Sequence, residues 1–166
     1  ARRDINSMAG NKVSFVDGES GEYDLILLAT GYQLDYPFID RKHLNWPAQV
    51  DAPQLYMNVF HPQYDNLFMM GMIEAAGLGW EGRNQQARLA ALYIHQRQQC
   101  SPAALQFAET KRQQATSNLD GGYDYIKLAR MAYYVNKDAY LAALNQHITA
   151  LEAELQASTP EPVATT

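Results

Sequence analysis

The sequence predicts an α/β fold, with a few strands in the amino-terminal half followed by about four helices. Short apolar runs separated by turn residues come first, which is typical of strands. From Glu81 onward Ala, Gln, Leu and Arg dominate, and apolar residues recur at intervals of three and four, which indicates helices. The 166 residues suffice for one domain with a hydrophobic core.

Two strands are predicted near the amino terminus. Lys12–Val16 has Val13 and Phe15 on one side, and the turn residues of Asp17–Gly21 separate it from a second run. The core of that second run, Leu25–Ala29, does not alternate, and a strand that is apolar on both faces belongs inside a sheet covered by helices. We therefore expect Leu25–Ala29 to be a buried strand with neighbours on both sides.

The middle of the chain is expected to combine a loop with two more strands. A proline-containing stretch after Gly31 predicts an ordered loop. Gln54–Phe60 and Asn66–Met72 are predicted to be strands, because the turn-like His61–Asp65 separates them.

The first predicted helix, Glu81–Gln99, is expected to be buried on more than one side. One predicted apolar face contains Ala87, Ala90, Ala91 and Ile94, and the other contains Leu89, Leu92 and Tyr93. Ser101 and Pro102 predict the start of a second helix that ends near Thr116, since the serine can cap it and proline is tolerated at the first helical position.

Two further helices are predicted towards the carboxyl terminus. Tyr123–Tyr133 is expected to form a short helix, and Asn136 with Asp138 offers a cap and a favourable first-turn charge for the last one. The last helix has one apolar stripe, which we expect to dock onto its own protein, with a coiled coil as the alternative. The stripe consists of Leu141, Leu144, Ile148, Leu151 and Leu155.

Composition excludes several classes of function. The net charge is -5 and the basic residues are scattered, so no surface for a phosphate backbone is expected. The apolar run Leu25–Ala29 is far shorter than the ~20 residues that span a bilayer. The lone Cys100 and the four histidines lack the spacing of a metal site, which predicts no metal and a reduced thiol in a cytoplasmic protein.

Two glycine-containing segments are candidates for binding a dinucleotide. Gly77–Gly82 spells G-x-G-x-x-G, but four residues separate it from the preceding predicted strand, Trp80 is bulky, and a helix follows where a second parallel strand should stand. Asp24–Tyr32 is the stronger candidate, because ligands of open α/β sheets bind beyond the carboxyl ends of buried strands.

Leu28–Tyr32 resembles the ATGY motif of flavin-containing monooxygenases and their Baeyer-Villiger relatives. The acidic Asp24 before this motif and Pro37–Phe38 after it fit the same pattern. Three later segments resemble, in the family's order, a strand that returns to the flavin domain, a Q-A-R helix and a tyrosine-leucine pair near the family's end. They are Asn66–Met72, Gln86–Arg88 and Tyr140–Leu141.

The resemblance implies an enzyme that uses NADPH to reduce FAD and inserts one oxygen atom from dioxygen into a nitrogen or sulfur nucleophile or a ketone. This chain is expected to be the carboxy-terminal fragment of such a two-dinucleotide-binding-domain flavoprotein, inactive alone, with the missing amino-terminal segments as its partner. Residues 1–32 would end the NADPH-binding domain and include the ATGY crossover. Residues 33–156 would belong to the FAD-binding domain with its helical tail, and residues 157–166 are expected to be disordered.

By the same resemblance, Thr30, Gly31 and Tyr32 are assigned to the dinucleotide side, and Gly71 and Gln86 to the flavin. No catalytic residue is assigned. Two alternatives remain open, namely a flavoprotein reductase without oxygen transfer and a non-catalytic helical module that docks a partner through Leu141–Leu155. The unmatched strand and the leucine stripe also predict self-association of the isolated chain.

Overall fold

The computed structural model describes residues 2–29, 33–114, 117–123 and 131–158, and in this part of the chain three strands come first and three α-helices follow. This order confirms the predicted α/β class. The chain divides into two units, Ala1–Tyr32 and Gln33–Thr166. The strands belong to the first unit and the helices to the second.

The first unit contains a three-stranded antiparallel sheet in the order β1-β2-β3. Its strands are β1 (Ile5–Ala9), β2 (Lys12–Phe15) and β3 (Ser20–Glu22). The β2 strand confirms the prediction for this segment, and its alternation buries Val13 and Phe15. The β1 strand was not predicted, because all five of its residues are exposed and carry no apolar alternation.

The predicted interior strand at Leu25–Ala29 is wrong. This segment has no regular secondary structure, and Leu25, Leu27 and Leu28 are 83%, 85% and 73% exposed. An interior strand needs backbone hydrogen bonds from neighbours on both sides. None of the described strands pairs with this segment.

The predicted strand at Gln54–Phe60 is also wrong, because the chain reverses within it. Met57 and Asn58 have positive φ angles of 56° and 54°, which an extended strand cannot contain. Tyr56 and Phe60 consequently face each other across a tight turn and exchange two backbone hydrogen bonds of 2.9 Å.

Asn66–Met72 does not form the second predicted strand of this region. It pairs with the preceding segment through the isolated bridge between Phe68 and Phe60. At this bridge the Met69 N–H donates to the Val59 carbonyl at 2.8 Å and the His61 N–H donates to the Leu67 carbonyl at 3.4 Å. Gly71, at φ 81°, bends the chain after this short contact. Before this region, Arg41–Leu44 forms a short 3-10 helix.

Helix α1 (Gly79–Gln98) confirms the first predicted helix but buries a single face. Of the predicted face Ala87, Ala90, Ala91 and Ile94, only Ala90 is buried, so the prediction of burial on more than one side is wrong. Helices α2 and α3 both pack against α1 and against each other, so they cover the same side of it. The buried residues of α1 are Gly82, Gln86, Leu89, Ala90, Tyr93 and Gln96.

Helix α2 (Pro102–Gln113) begins where predicted, and the Ser101 hydroxyl accepts a hydrogen bond from the Ala104 N–H at 3.3 Å. Helix α3 (Lys137–Ser158) begins after the predicted cap, since the Asn136 side chain accepts a hydrogen bond from the Ala139 N–H at 3.0 Å. The short helix predicted at Tyr123–Tyr133 falls largely on residues 124–130, outside the described residues, as does the tail after residue 158.

The α3 stripe docks onto its own protein, as predicted. Leu144, Ile148 and Leu151 are at most 3% exposed, and Leu141 is partly buried against the same core. The core also contains the aromatic rings of Tyr56 and Phe60, which lie in the irregular segment before α1, and those of Tyr93 in α1 and Phe107 in α2.

Candidate functional site

The predicted site residues fall into two groups. Thr30, Gly31 and Tyr32 lie outside the described residues. Gly71 and Gln86, which are 15 positions apart, are in direct contact, because the Gly71 N–H donates to Gln86 Oε1 at 3.0 Å.

This contact is the first link of a hydrogen-bond chain that joins four segments. The other side of the amide, Gln86 Nε2, donates to the Tyr140 hydroxyl at 2.6 Å. The Tyr140 hydroxyl donates in turn to the backbone carbonyl of Met57 at 2.9 Å. We call these four residues the Gln86 relay, and three of them, Gln86, Tyr140 and Met57, are at most 1% exposed.

The direction of every bond in the Gln86 relay follows from its two ends. The Met57 carbonyl can only accept, so the Tyr140 hydroxyl must donate to it and use its own oxygen as an acceptor. At the other end the Gly71 N–H can only donate. One orientation of the Gln86 amide satisfies both requirements, with its oxygen towards Gly71 and its nitrogen towards Tyr140.

The Met69–Gly71 segment forms a partly exposed edge, which we call the Gly71 edge. Met70 is 48% exposed, and Gly71 has a φ of 81°, a conformation that strains any other residue. The Gly71 carbonyl accepts from the Ile73 N–H at 2.8 Å, so both backbone polar groups of Gly71 are paired within the protein. Gly71 can therefore offer a ligand a close approach to its backbone, but no free N–H donor.

Space for such an approach exists beside Gly71. Among the described residues, a Cβ built on Gly71 meets Arg83 Nε at 3.8 Å, an ordinary van der Waals distance. The Arg83 side chain is fixed along the first turn of α1, where its Nη1 donates to the Gly79 carbonyl at 2.8 Å. Among the described residues, the Arg83 guanidinium therefore borders the open side of Gly71.

The glycine-rich segment Gly77–Gly82 lacks the setting of a phosphate-binding loop. Among the described residues no strand leads directly into it, and its last four residues already belong to α1. The first turn of α1 lacks a side-chain cap, but Glu81 adds a negative charge there, which disfavours an anion. A Cβ at Gly82 would lie 2.5 Å from Leu78 Cγ, so helix packing alone requires this glycine.

The far end of the Gln86 relay is held in an unusual backbone conformation. Met57 and Asn58 are consecutive non-glycine residues with positive φ, a conformation that persists only when surrounding contacts enforce it. The Met57 N–H donates to the Ser117 hydroxyl at 3.3 Å, and Asn58 Nδ2 donates to the Tyr133 carbonyl at 3.4 Å. The relay therefore ends on a fixed backbone group.

A family model of flavin-binding monooxygenase-like proteins matches residues 1–154. The chain belongs to this family. Family membership confirms the resemblance drawn from the sequence motifs, and it associates the chain with flavin-dependent monooxygenases. No solved structure matches the chain significantly.

A second polar centre of this flavin-binding monooxygenase-like chain surrounds Asp65. Its carboxylate accepts from Tyr93 Oη at 2.8 Å and lies 2.9 Å from Lys111 Nζ and 3.1 Å from Arg97 Nη2. We call these four residues the Asp65 cluster. Burial opposes the ionisation of Asp65, but the hydrogen bonds from Lys111 and Tyr93 outweigh it and lower its pKa to about 2.

Lys111 makes the Asp65 cluster a structural centre. Its side chain is fully buried, and Nζ also donates to the carbonyls of His61, Pro62 and Tyr64 at 2.8, 3.3 and 3.1 Å. Burial lowers the pKa of Lys111, and the Asp65 carboxylate counteracts this effect. All donors of the ammonium are used within the protein, which connects α2 to the loop before the Gly71 edge.

A cavity of about 550 Å³ lies beside the relay in this family member. Its wall includes Tyr56, Met57 and His147, and Tyr56 Oη lies 2.7 Å from His147 Nε2. Burial lowers the pKa of His147, which favours the neutral imidazole near neutral pH. The remaining lining is dominated by uncharged amide and hydroxyl side chains, which define no particular ligand.

The described part of the chain contains no group of His, Cys, Asp or Glu side chains that could hold a metal ion. None of its helices is both long and apolar enough to cross a membrane. Cys100 is exposed and follows α1.

Sequence reasoning missed the Asp65 cluster and the role of Tyr140. Periodicity offered a signal for Lys111, since it shares the spacing of the buried residues Ala104, Phe107 and Ala108 on α2. A lysine on the apolar face of a helix predicts a buried, paired ammonium. Tyr140 was selected only as part of the tyrosine-leucine pair of the resemblance, and nothing local indicated its hydrogen bonds.

Proposed function

We propose that this chain is the carboxy-terminal part of an FAD- and NADPH-dependent monooxygenase and that its Gly71 edge lies against the flavin. One observation carries the proposal: Gly71 and Gln86, the two residues that the resemblance assigns to the flavin, are hydrogen-bonded to each other. The family match to flavin-binding monooxygenase-like proteins over residues 1–154 supports it.

The Gly71 edge fits a flat ring better than a phosphate. It combines open space, a glycine without a side chain and a half-exposed methionine, Met70. It offers no unpaired backbone N–H at Gly71, and Glu81 stands in the first turn of the nearby helix. We therefore assign the Gly71 edge to the isoalloxazine and expect segments other than Gly77–Gly82 to hold the phosphates.

Bound flavin would supply the redox chemistry with NADPH and dioxygen. The residues of this chain would approach the ring, hold its edge in position and exclude water from one side. No group in this chain is assigned a proton transfer.

The exposed segment Leu25–Ala29 supports the proposal that this chain works together with other segments. Its three leucines are more than 70% exposed, and such an apolar run is suited to pairing within a larger sheet. We propose that amino-terminal dinucleotide-binding segments cover it and that Thr30, Gly31 and Tyr32 then contact the dinucleotide. Without them, the chain would not turn over. We further propose that the enzyme is cytoplasmic.

The alternative of a helical interaction module has less support. It requires the apolar stripe of α3 to be available to a partner, but Leu144, Ile148 and Leu151 are buried in the core of their own unit. A reductase without oxygen transfer would also oxidise NADPH, but it would not oxygenate a substrate. NADPH consumption coupled to the oxygenation of an amine, a sulfide or a ketone separates the two.

The experiment compares two glycine variants in the complete flavoprotein. Gly71 and Gly122 both have a φ of 81°, and the described residues leave room for a Cβ at each, so Gly71→Ala and Gly122→Ala are matched in backbone strain. We expect Gly71→Ala to raise the FAD dissociation constant about 10-fold, and Gly122→Ala to leave it unchanged. Equal affinities in the two variants would refute the assignment of the Gly71 edge.

The isolated chain provides the second arm of the experiment. We expect it to show no stoichiometric flavin absorbance after incubation with FAD and gel filtration, while the complete protein keeps its flavin band. Tight stoichiometric binding of FAD by the 166 residues alone would contradict the proposal that the phosphate-binding segments lie elsewhere.

A further inference from the structure

We infer that Tyr140 is a positioning residue for the flavin edge, acting through Gln86 on the backbone of Gly71. The inference rests on the proposed function and deepens it. Tyr140 lies in the first turns of α3, 69 positions after Gly71, yet a single side chain, that of Gln86, separates the two groups.

The Tyr140 hydroxyl decides which way the Gln86 amide faces. The Tyr140 proton is committed to the Met57 carbonyl at 2.9 Å, so its oxygen can only accept from Gln86. A reversed amide would place the Gln86 NH₂ group against the Gly71 N–H, so that two donors face each other. It would also place the Gln86 oxygen against the Tyr140 oxygen with no proton between them. The hydroxyl therefore keeps the Gln86 oxygen directed at the Gly71 N–H.

Burial makes this selection effective. Gln86 and Tyr140 are both 0% exposed, so no water competes for the amide, and an unpaired buried donor is costly. Burial also raises the pKa of Tyr140, which keeps its hydroxyl protonated throughout the range in which proteins are assayed. The Gln86 relay consequently does not change with pH under these conditions.

Other contacts hold α3 in place without the Tyr140 hydroxyl. Leu144 and Leu151 are buried in the core, Gln96 Nε2 donates to the Leu151 carbonyl, and Arg88 pairs with Glu152. The N-terminal cap at Asn136 is independent of the hydroxyl as well. Removing this one oxygen therefore changes the Gln86 relay and leaves the docking of the helix intact.

The test uses Tyr140→Phe and Tyr56→Phe in the complete flavoprotein. Both tyrosines are at most 3% exposed and each variant removes one hydrogen-bonded hydroxyl, but the Tyr56 hydroxyl contacts His147 and not the Gln86 relay. We expect Tyr140→Phe to raise the FAD dissociation constant about 10-fold and to alter the visible flavin spectrum. Tyr56→Phe should also lower Tm, but with FAD affinity and spectrum unchanged.

Unchanged affinity and spectrum in Tyr140→Phe would overturn the inference, because a purely structural hydroxyl affects Tm alone. If Gly71→Ala is silent as well, the proposed function has failed; if Gly71→Ala weakens FAD binding and Tyr140→Phe does not, only the inference has failed. Gln86→Met supplies a variant for the case in which Tyr140→Phe does not fold. The effects of Gln86→Met and Tyr140→Phe on FAD affinity should be less than additive when the two are combined. Full additivity would contradict an effect of both residues through the Gln86 relay.

Discussion

Replacing Asp65 by asparagine tests the Asp65 cluster most directly. The substitution preserves the size of the side chain but removes the negative charge that faces Lys111, Arg97 and Arg112. Lys111 is fully buried, so in this variant its ammonium would have only neutral acceptors among the described contacts, namely three backbone carbonyls and the new amide oxygen, and no counter-charge at Asp65. We expect Asp65→Asn to destabilise the protein strongly at neutral pH.

Two structural quantities set the size of the effect. The pKa of Asp65 falls from 3.8 to about 2, and at about 1.4 kcal/mol per pKa unit this corresponds to roughly 2 kcal/mol of stability. Because the folded-state pKa is the lower one, this stability is present above pH 3.8 and is lost as the pH falls towards 2. Leaving the Lys111 charge unpaired adds to the loss, so we expect about 3 kcal/mol at pH 7.

Urea unfolding measured between pH 7 and pH 2 checks both numbers. The difference in unfolding free energy between the wild type and Asp65→Asn should be about 3 kcal/mol at pH 7 and should shrink by about 2 kcal/mol below pH 3.8. Asp51→Asn, which removes an exposed carboxylate of the same unit, is the control and should change neither. A pH-independent difference, or a loss below ~1 kcal/mol at pH 7, would show that Asp65 is not the counter-charge of Lys111.

Two further predictions concern α1 and the cavity. Gly82→Ala should destabilise the protein by about 1 kcal/mol or more, because the new Cβ would lie 2.5 Å from Leu78 Cγ and this clash outweighs the gain in helix propensity. The control, Asn84→Ala on the exposed face of α1, should be neutral or stabilising. A stabilised Gly82→Ala variant would contradict the close contact between Gly82 and Leu78. Burial lowers the pKa of both His147 and His61. The contribution of these neutral imidazoles to the stability of the fold is therefore present above pH 6.5 and is lost as the pH falls below it. His147→Gln should reduce the decline in the urea midpoint between pH 7 and pH 5, and an unchanged decline would speak against a buried neutral imidazole.

The sequence allowed the helices to be predicted because their signals are local. Ser101 and Asn136 cap the helices that they precede, and the leucine stripe of α3 packs as its spacing requires. The strands were harder to predict, because their pairing depends on distant segments. The apolarity of Leu25–Ala29 indicates that the segment needs partners, but not where those partners come from.

The candidate site could be predicted only in part. The resemblance selected Gly71 and Gln86, but their hydrogen bond depends on how α1 returns past the Gly71 edge, which no spacing rule gives. The positive φ angles of Met57 and Asn58 were not predictable either, since neither residue is a glycine. They are imposed by contacts from Ser117, Tyr133 and Tyr140 far along the chain.

The Gln86 relay also constrains the order in which the site can form during synthesis. Chains emerge from the ribosome amino terminus first, so Met57, Gly71 and Gln86 are all made before Tyr140. Until α3 has emerged and docked, the Gln86 amide has no hydroxyl to select its orientation and the Met57 carbonyl lacks its donor. The geometry of the Gly71 edge is therefore completed only after α3, which is made well after the edge itself, has left the ribosome.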